Sequence, residues 1–151
     1  LFVAANAYAK KNHSKFSVVR YGNVMASRGS IIPYLIKNIK SKYINVTDKR
    51  MTRFNITLEE SIKLVNNSFK KMVGGEIFVP KLSSYRVTEL VRAICPNSKI
   101  KIIGIRPGEK LHEQMISSSD SLNTIEFKDY YIILPNSGTN ATCNLFYNTK
   151  I

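Results

Sequence analysis

The sequence is poor in cysteine and acidic residues and contains no tryptophan. Its two cysteines, Cys95 and Cys143, lie in unrelated contexts, which excludes a disulfide-rich scaffold and a cysteine-based zinc module. No apolar run approaches the roughly 20 residues that a membrane-spanning helix needs. The opening stretch Leu1–Ala5 is too short for a secretory signal and lacks a basic flank. These absences predict a cytoplasmic protein without a membrane partner.

Negative charge is scarce, with 10 acidic residues against 23 Lys and Arg and a formal net charge of +13. No Asp or Glu precedes Asp48, whereas eight Lys or Arg do. A field of this sign favours phosphates, nucleic acid or a membrane surface. However, the excess consists mainly of lysine, which is typical of a composition bias spread over solvated faces. The net charge alone therefore does not identify the partner.

Length and periodicity indicate a globular α/β chain. The 151 residues, 44% of them hydrophobic, suffice for one domain or for part of a larger one. Helical and strand patterns alternate, which predicts the α/β class. Strands are predicted at residues 16–20, 43–47, 76–80, 99–105 and 129–134. Helices are predicted at residues 1–12, 32–39, 57–72, 87–94 and 111–115, with a loop at 48–54 and a frayed tail from residue 136.

The helix from Thr57 has the clearest pattern of the chain. Thr57 and Glu60 form a T-x-x-E capping box at its start. Its apolar residues recur at helical spacing and predict a stripe that faces the core. The members of the stripe are Leu58, Ile62, Val65, Phe69 and Met72.

Asn23 is the first candidate for ligand binding. It follows a predicted strand and Gly22, and ligands of open α/β sheets lie beyond the carboxyl ends of the strands. Its side-chain amide both donates and accepts hydrogen bonds, as a carboxamide or phosphate ligand requires. On spacing alone, an ordinary strand-to-loop turn is the favoured explanation of the pattern.

Three arginines, Arg50, Arg53 and Arg106, are candidates for phosphate binding, because guanidinium groups bind phosphate oxygens bidentately. Glu109 follows the Arg106-Pro-Gly turn, where it could accept from ribose hydroxyls or orient an arginine. The alternative is that Arg53 and Arg106 pair on the surface with Glu59, Glu60 or Glu109, an arrangement worth about 0–1 kcal/mol. No metal site is predicted, since His112-Glu113 lacks the second histidine of H-E-x-x-H.

Five ordered segments together carry a specific resemblance. They are FSVVRYGNV at 16–24, SRGS at 27–30, RMTRFNIT at 50–57, GGEIFVPK at 74–81 and IIGIRPGEKLHE at 102–113. Over about residues 1–134 the chain resembles the inverting UDP-N-acetylglucosamine 4,6-dehydratases of polysaccharide and pseudaminic acid biosynthesis, which are extended short-chain dehydrogenases/reductases.

The resemblance implies the C-terminal half of a Rossmann-type fold with its small substrate-binding domain. Residues 1–43 would end the dinucleotide-binding domain. Residues 44–134 would form mainly the nucleotide-sugar domain with interleaved Rossmann elements, and residues 135–151 a flexible tail. The complete protein would bind NADP and a UDP-sugar but no nucleic acid, and would form a homo-oligomer.

The same resemblance assigns roles to individual residues. Asn23 would contact the substrate near its diphosphate, and the loop at 44–53 with Arg106 and Glu109 would hold the UDP part. The residues expected on the nicotinamide side of the cofactor are Val24, Met25, Ala26, Ser27 and Arg28. The substrate-binding residues expected in the loop are Ile44, Thr47, Arg50 and Arg53.

The catalytic motifs of the family are not in this sequence. It lacks the glycine-rich phosphate turn, the Tyr-x-x-x-Lys pair and the Thr-Asp-Lys residues of the dehydratases. The catalytic residues are therefore expected upstream of residue 1, and the chain alone is expected to be inactive. The complete protein would oxidise C4, eliminate water across C5–C6 and return hydride to C6.

Three other functions remain open on the sequence. A UDP-sugar epimerase of the same family would differ mainly in the missing catalytic residues. A basic nucleic-acid-binding module would fit the charge, although no stacking motif, helix-turn-helix or basic helix is present. A non-catalytic remnant of an enzyme is the third alternative.

Overall fold

The computed structural model describes residues 1–9 and 14–135. They form two compact units. The first comprises Leu1–Tyr21, Glu59–Lys81 and the described residues from Met115 onward, and the second comprises Gly22–Leu58 and Leu82–Gln114. The predicted tail lies outside the described residues except for Pro135. None of the helices in the described ranges has the length and hydropathy needed to cross a bilayer.

Nine strands and five helices alternate along the described residues. The strands are β1 (Val18–Val19), β2 (Asn23–Val24), β3 (Tyr43–Val46), β4 (Thr52–Ile56), β5 (Ile77–Pro80), β6 (Ser84–Arg86), β7 (Lys99–Ile102), β8 (Thr124–Glu126) and β9 (Tyr130–Ile133). The helices are α1 (Phe2–Ala9), α2 (Ile31–Lys37), α3 (Leu58–Lys71), α4 (Val87–Ile94) and α5 (Ser118–Ser121). This alternation agrees with the predicted α/β class.

The first unit is built on one four-stranded sheet in the order β1-β5-β9-β8. β1 and β5 are parallel, whereas β9 runs antiparallel to both of its neighbours. Phe78 and Ile132 are fully buried at its centre and face each other in the β5–β9 register. The aromatic rings of Phe127 and Tyr130 stack beside them with their centroids 5.0 Å apart.

The second unit has two small sheets, β2-β4-β6 and the parallel pair β3-β7. Its core joins both helices of the unit to strand β3, because α2 contributes Leu35 and α4 contributes Val87 and Val91. The buried residues of this core are Leu35, Ile44, Val46, Met51, Val87, Val91 and Cys95. The alternation in β3 buries Ile44 and Val46 and exposes Tyr43 and Asn45, as a half-buried strand requires.

Two local predictions are wrong. The predicted loop at 48–54 contributes most of β4, which pairs in parallel with β2 and antiparallel with β6. The predicted helix at 111–115 is not formed, because the segment instead lies along β4, where the Thr52 amide donates to the Leu111 carbonyl over 3.2 Å. In both places, pairing with distant residues overrides the local pattern.

The stripe of α3 does not face a core in the described residues. Leu58, Ile62, Val65 and Phe69 are exposed, with Phe69 at 76%. The face that the helix buries carries Ser61 and Ser68 instead, and only Met72, just beyond the helix, packs beside Phe78 and Ile132. The prediction of a core-facing stripe is therefore wrong for the described residues.

Candidate functional site

The second unit gathers polar side chains on one face of the sheet β2-β4-β6. Asn23 in β2 lies opposite Asn55 in β4, and Arg53, two residues earlier in β4, lies opposite Tyr85 in β6. Residues two apart in a strand, and residues directly opposite in neighbouring strands, share a face. The Tyr85 hydroxyl donates to the Asn55 amide oxygen over 3.2 Å. Partial burial raises the pKa of the Tyr85 phenol, so this hydroxyl stays protonated as a donor.

Gly22 allows β2 to approach β4 closely. A Cβ atom at this position would lie 2.9 Å from the Phe54 Cβ, closer than real Cβ atoms come, and 3.1 Å from the Phe54 carbonyl oxygen, which is a tight contact. Glycine is therefore required for close strand packing here. Asn23 itself remains exposed, which leaves its amide available to a ligand.

The residues predicted for the cofactor form the turn that follows β2. The Met25 amide donates to the Ile56 carbonyl over 2.9 Å, and the Ser27 amide donates to the Val24 carbonyl over 3.2 Å. Ala26 adopts a positive φ of 58°, a conformation that is uncommon for a residue with a side chain. Met25, Ala26, Ser27 and Arg28 are exposed, and Val24 is half-buried.

Thr47 and Glu109 are brought together from 62 residues apart. The Thr47 hydroxyl donates to one Glu109 carboxylate oxygen over 3.3 Å, and the Arg106 main-chain amide donates to the other over 3.2 Å. Glu109 therefore fixes the turn at Arg106, while the Arg106 side chain remains exposed. Among the described residues, no hydrogen bond engages the Arg106 guanidinium.

The remaining predicted substrate-binding residues are placed differently. Ile44 is only 1% exposed and belongs to the core, so its side chain cannot contact a ligand and only its main chain could. Arg50 is exposed and donates to both oxygens of the Asp48 carboxylate, over 3.0 and 2.9 Å. These hydrogen bonds lower the pKa of Asp48 to about 2 and raise that of Arg50.

Arg53 is the least exposed of the three arginines, with a side chain only 13% exposed. Its guanidinium donates to the main-chain carbonyls of Thr52, Leu111 and Lys110 over 2.7, 3.2 and 3.1 Å. The Glu113 carboxylate lies 3.4 Å from its Nε. The surface pairing considered for Arg53 with Glu59, Glu60 or Glu109 is therefore replaced by a pairing with Glu113.

No ligand-binding role was predicted from the sequence for four residues of this region: Asn55, Tyr85, Thr52 and His112. The Thr52 hydroxyl lies 2.8 Å from His112 Nδ1, and this contact helps to hold the segment at 111–113 on β4. Asn55 and Tyr85 could have been found only if residues 52–56 had been predicted as a strand. The alternation of that strand would then have placed Asn55 beside Arg53.

The arrangement is suited to holding a polar, anionic ligand. The sheet face offers two amides and a phenol, and the Arg106 guanidinium is exposed in the same unit. All of these groups are donors matched to phosphate and carbonyl oxygens. No group of three His, Cys, Asp or Glu residues that could hold a metal ion occurs within residues 1–9 and 14–135. The residues brought together here can bind and orient a ligand.

Comparisons with known proteins point to one family. The sequence profile described as "Polysaccharide biosynthesis protein" matches residues 1–135. The chain is 56% identical over 137 residues to a UDP-N-acetylglucosamine 4,6-dehydratase (inverting) of Campylobacter jejuni serotype O:23/36, covering 89% of this chain and 41% of that protein. It is 39% identical over 138 residues to a UDP-glucose 4-epimerase of Rickettsia canadensis, covering 88% and 40%.

Solved structures resemble the same part of the chain. Pen from Bacillus thuringiensis matches with a TM-score of 0.83 and 35% identity, covering 89% of this chain and 44% of that one. DesIV, a dTDP-glucose 4,6-dehydratase from Streptomyces venezuelae solved with NAD and TYD bound, matches with a TM-score of 0.63 and 13% identity, covering 97% and 48%. The prediction of a Rossmann-type α/β fold is confirmed. The chain spans about two fifths of the length of the curated relatives it matches.

Proposed function

Because the chain belongs to the polysaccharide biosynthesis protein family, we propose that it forms the nucleotide-holding part of a UDP-N-acetylglucosamine 4,6-dehydratase that inverts C5. The observation that carries this proposal is the 56% identity to the Campylobacter dehydratase over 89% of the chain. In this role the protein is a cytoplasmic hydro-lyase and a homo-oligomer that supplies surface polysaccharide or pseudaminic acid synthesis. Its substrate is a UDP-sugar.

The polar face of the second unit supports a role in holding the UDP group. The exposed Arg106 guanidinium supplies a bidentate donor for a diphosphate, and the Glu109 carboxylate fixes the turn that presents it. Asn23 offers its amide on the face shared with Asn55. In this proposal Thr47 acts through Glu109, and Ile44 contributes its main chain. Arg50 contributes charge at the rim, since it remains exposed beside Asp48.

We assign the turn after β2 to one side of the NADP nicotinamide, with Val24, Met25, Ala26, Ser27 and Arg28 as its residues. The fit is partial. Val24 and Met25 offer apolar surface to a flat ring, and Arg28 offers a cation, but the sequence has no glycine-rich turn for the pyrophosphate. NADP would supply hydride acceptance and return. The residues of this chain would position the ring and exclude water on that side.

The epimerase alternative rests on a specific observation, the 39% identity to the UDP-glucose 4-epimerase of Rickettsia canadensis. Both activities use a UDP-sugar, so the UDP-holding residues discussed here serve either one. The two differ in the chemistry performed at the sugar. The identity of the product, rather than UDP binding, therefore separates the two functions.

Calorimetric titration of the chain with UDP tests the binding part of the proposal. We expect Arg106→Ala to weaken binding tenfold or more, since a charged hydrogen bond contributes about 1.5–3 kcal/mol. Arg92→Ala is the matched control, because Arg92 is an exposed arginine in the last turn of α4 in the same unit. A folded wild-type chain that does not bind UDP at millimolar concentration overturns the proposal.

Chimeric enzymes test the choice of activity. Residues 1–135 of this chain would replace the matching segment of the Campylobacter dehydratase and, separately, of the Rickettsia epimerase. We expect the first chimera to form the 4-keto-6-deoxy product from UDP-N-acetylglucosamine and the second to be much less active. The reverse result would favour the epimerase. The chain alone is expected to give no turnover by proton NMR.

A further inference from the structure

We propose that Arg53 is a positioning residue that fixes the segment 106–113 on strand β4 and thereby presents Arg106 and Glu109 to the nucleotide. This inference deepens the proposed function and rests on it for the identity of the ligand. It gives Arg53 a role different from the phosphate contact that its residue type and the family resemblance predict.

Most donors of the Arg53 guanidinium are engaged within the chain. A guanidinium carries five N–H donors in a rigid planar fork. One terminal nitrogen bonds the carbonyls of Thr52 and Leu111, and the other bonds that of Lys110. Nε faces the Glu113 carboxylate at 3.4 Å. All three nitrogens thus contact the chain itself, and a phosphate bound bidentately would have to displace at least one of these interactions.

The bonds of Arg53 hold a segment without regular secondary structure. Residues 105–117 contain no helix or regular strand, and their pairing with β4 consists of the isolated bridge between Thr52 and His112. Their attachment to β4 consists of the Arg53 bonds, the Thr52 main-chain bond to Leu111 and the Thr52 contact with His112. Arg53 therefore contributes a large share of this attachment, at sequence separations of 57 and 58 residues.

Arg50 differs from Arg53 in its contacts. Arg50 lies three residues earlier, its side chain is 71% exposed, and it bonds the nearby Asp48. Within residues 1–9 and 14–135, no hydrogen bond joins the Arg50 side chain to a distant segment. Arg50 is therefore a matched control with the same charge, the same unit and almost the same sequence position.

The test combines amide hydrogen exchange with UDP titration of the chain carrying Arg53→Lys, Arg53→Met or Arg50→Lys. Lysine keeps the charge but cannot place three nitrogens toward these carbonyls and Glu113. We expect both Arg53 variants to lower the protection of the Thr52 amide, which donates to the Leu111 carbonyl, about tenfold in amide exchange. Exchange in β5 and β9 should be unchanged, and Arg50→Lys should leave the exchange of the Thr52 amide unchanged. Wild-type protection of the Thr52 amide in both Arg53 variants would overturn the inference.

A double-mutant cycle separates positioning from direct contact. If Arg53 acts through Arg106, then Arg53→Lys should weaken UDP binding about fivefold or more in the wild-type background and by less than twofold in the Arg106→Ala background. Additive losses would show a direct contact and would overturn the inference. A wild-type chain that fails to bind UDP would refute the proposed function, whereas the exchange measurement would still decide whether Arg53 fixes the segment.

Discussion

The Arg20 guanidinium donates to the Asp120 carboxylate over 3.0 Å and to the Met115 carbonyl over 2.8 Å. These bonds connect the residue after β1 with the first turn of α5, 100 residues further along the chain. Asp120 also accepts from the main-chain amide of Ser117, whose hydroxyl caps α5 in return. A single carboxylate thus joins a helix cap to a distant ion pair.

Removing Arg20 should change how stability depends on pH. The hydrogen bond from Arg20, followed by those from Ser117, lowers the pKa of Asp120 from 3.8. A carboxyl with a lowered folded pKa stabilises the fold above its unfolded pKa and loses this contribution as the pH falls. We expect Arg20→Gln to lower the free energy of unfolding by about 1 kcal/mol at pH 7. Below pH 4, the free energy of unfolding should fall less steeply with decreasing pH in the variant than in the wild type. Urea unfolding at several pH values measures both effects.

The Asp48–Arg50 pair can be tested by direct titration of one carboxyl group. The side-chain hydrogen bond from Arg50 is the largest cause of the low Asp48 pKa of about 2. We expect Arg50→Ala to raise this pKa part of the way toward 3.8, because the carboxylate loses its side-chain partner but keeps the hydrogen bond from the main-chain amide of residue 50. Carbon-13 NMR of the Asp side chains measures the shift. An Asp48 pKa that stays near 2 in the variant would contradict the assigned cause.

Glu76 should be important for stability in the first unit. It is fully buried, and its carboxylate accepts from the amides of Val73 over 2.6 Å and Gly74 over 2.8 Å. Glu76→Ala leaves both amides without these acceptors, at about 1–3 kcal/mol each. We expect denaturant unfolding to show that Glu76→Ala lowers the free energy of unfolding by roughly 2–5 kcal/mol. Glu76→Gln should lower it by less. Glu59→Gln, at an exposed position on α3, should change stability by less than about 0.5 kcal/mol.

The exposed stripe of α3 should matter for association more than for folding. Phe69→Gln should change the free energy of unfolding by no more than about 0.5 kcal/mol, since the ring is mostly in solvent. Phe78→Ala is the contrasting variant and should lower the free energy of unfolding by about 3–5 kcal/mol, because Phe78 is fully buried. Analytical ultracentrifugation should show less self-association for Phe69→Gln than for the wild type. Unchanged association would contradict this role for the stripe.

The sequence predicted the regular elements where the pattern was local. The alternation of residues 43–47 gave β3 almost to the residue, and the apolar positions of 87–94 matched α4. The pattern failed at 48–54 and 111–115, because β4 forms by pairing with β2 and β6 and the later segment then lies along it. Those partners are distant in sequence, and no local periodicity encodes them.

The sequence proposed residues for the candidate site but not their arrangement. The sequence by itself determined the family, the α/β class and the set of arginines and amides that suit a nucleotide sugar. Only the tertiary structure decided which of the three arginines is exposed and has no hydrogen-bond partner for its guanidinium among the described residues, because that choice depends on carbonyls and carboxylates contributed by other segments. Arg53 is occupied by residues 52 and 110–113, Arg50 is paired with Asp48, and Arg106 is left facing solvent.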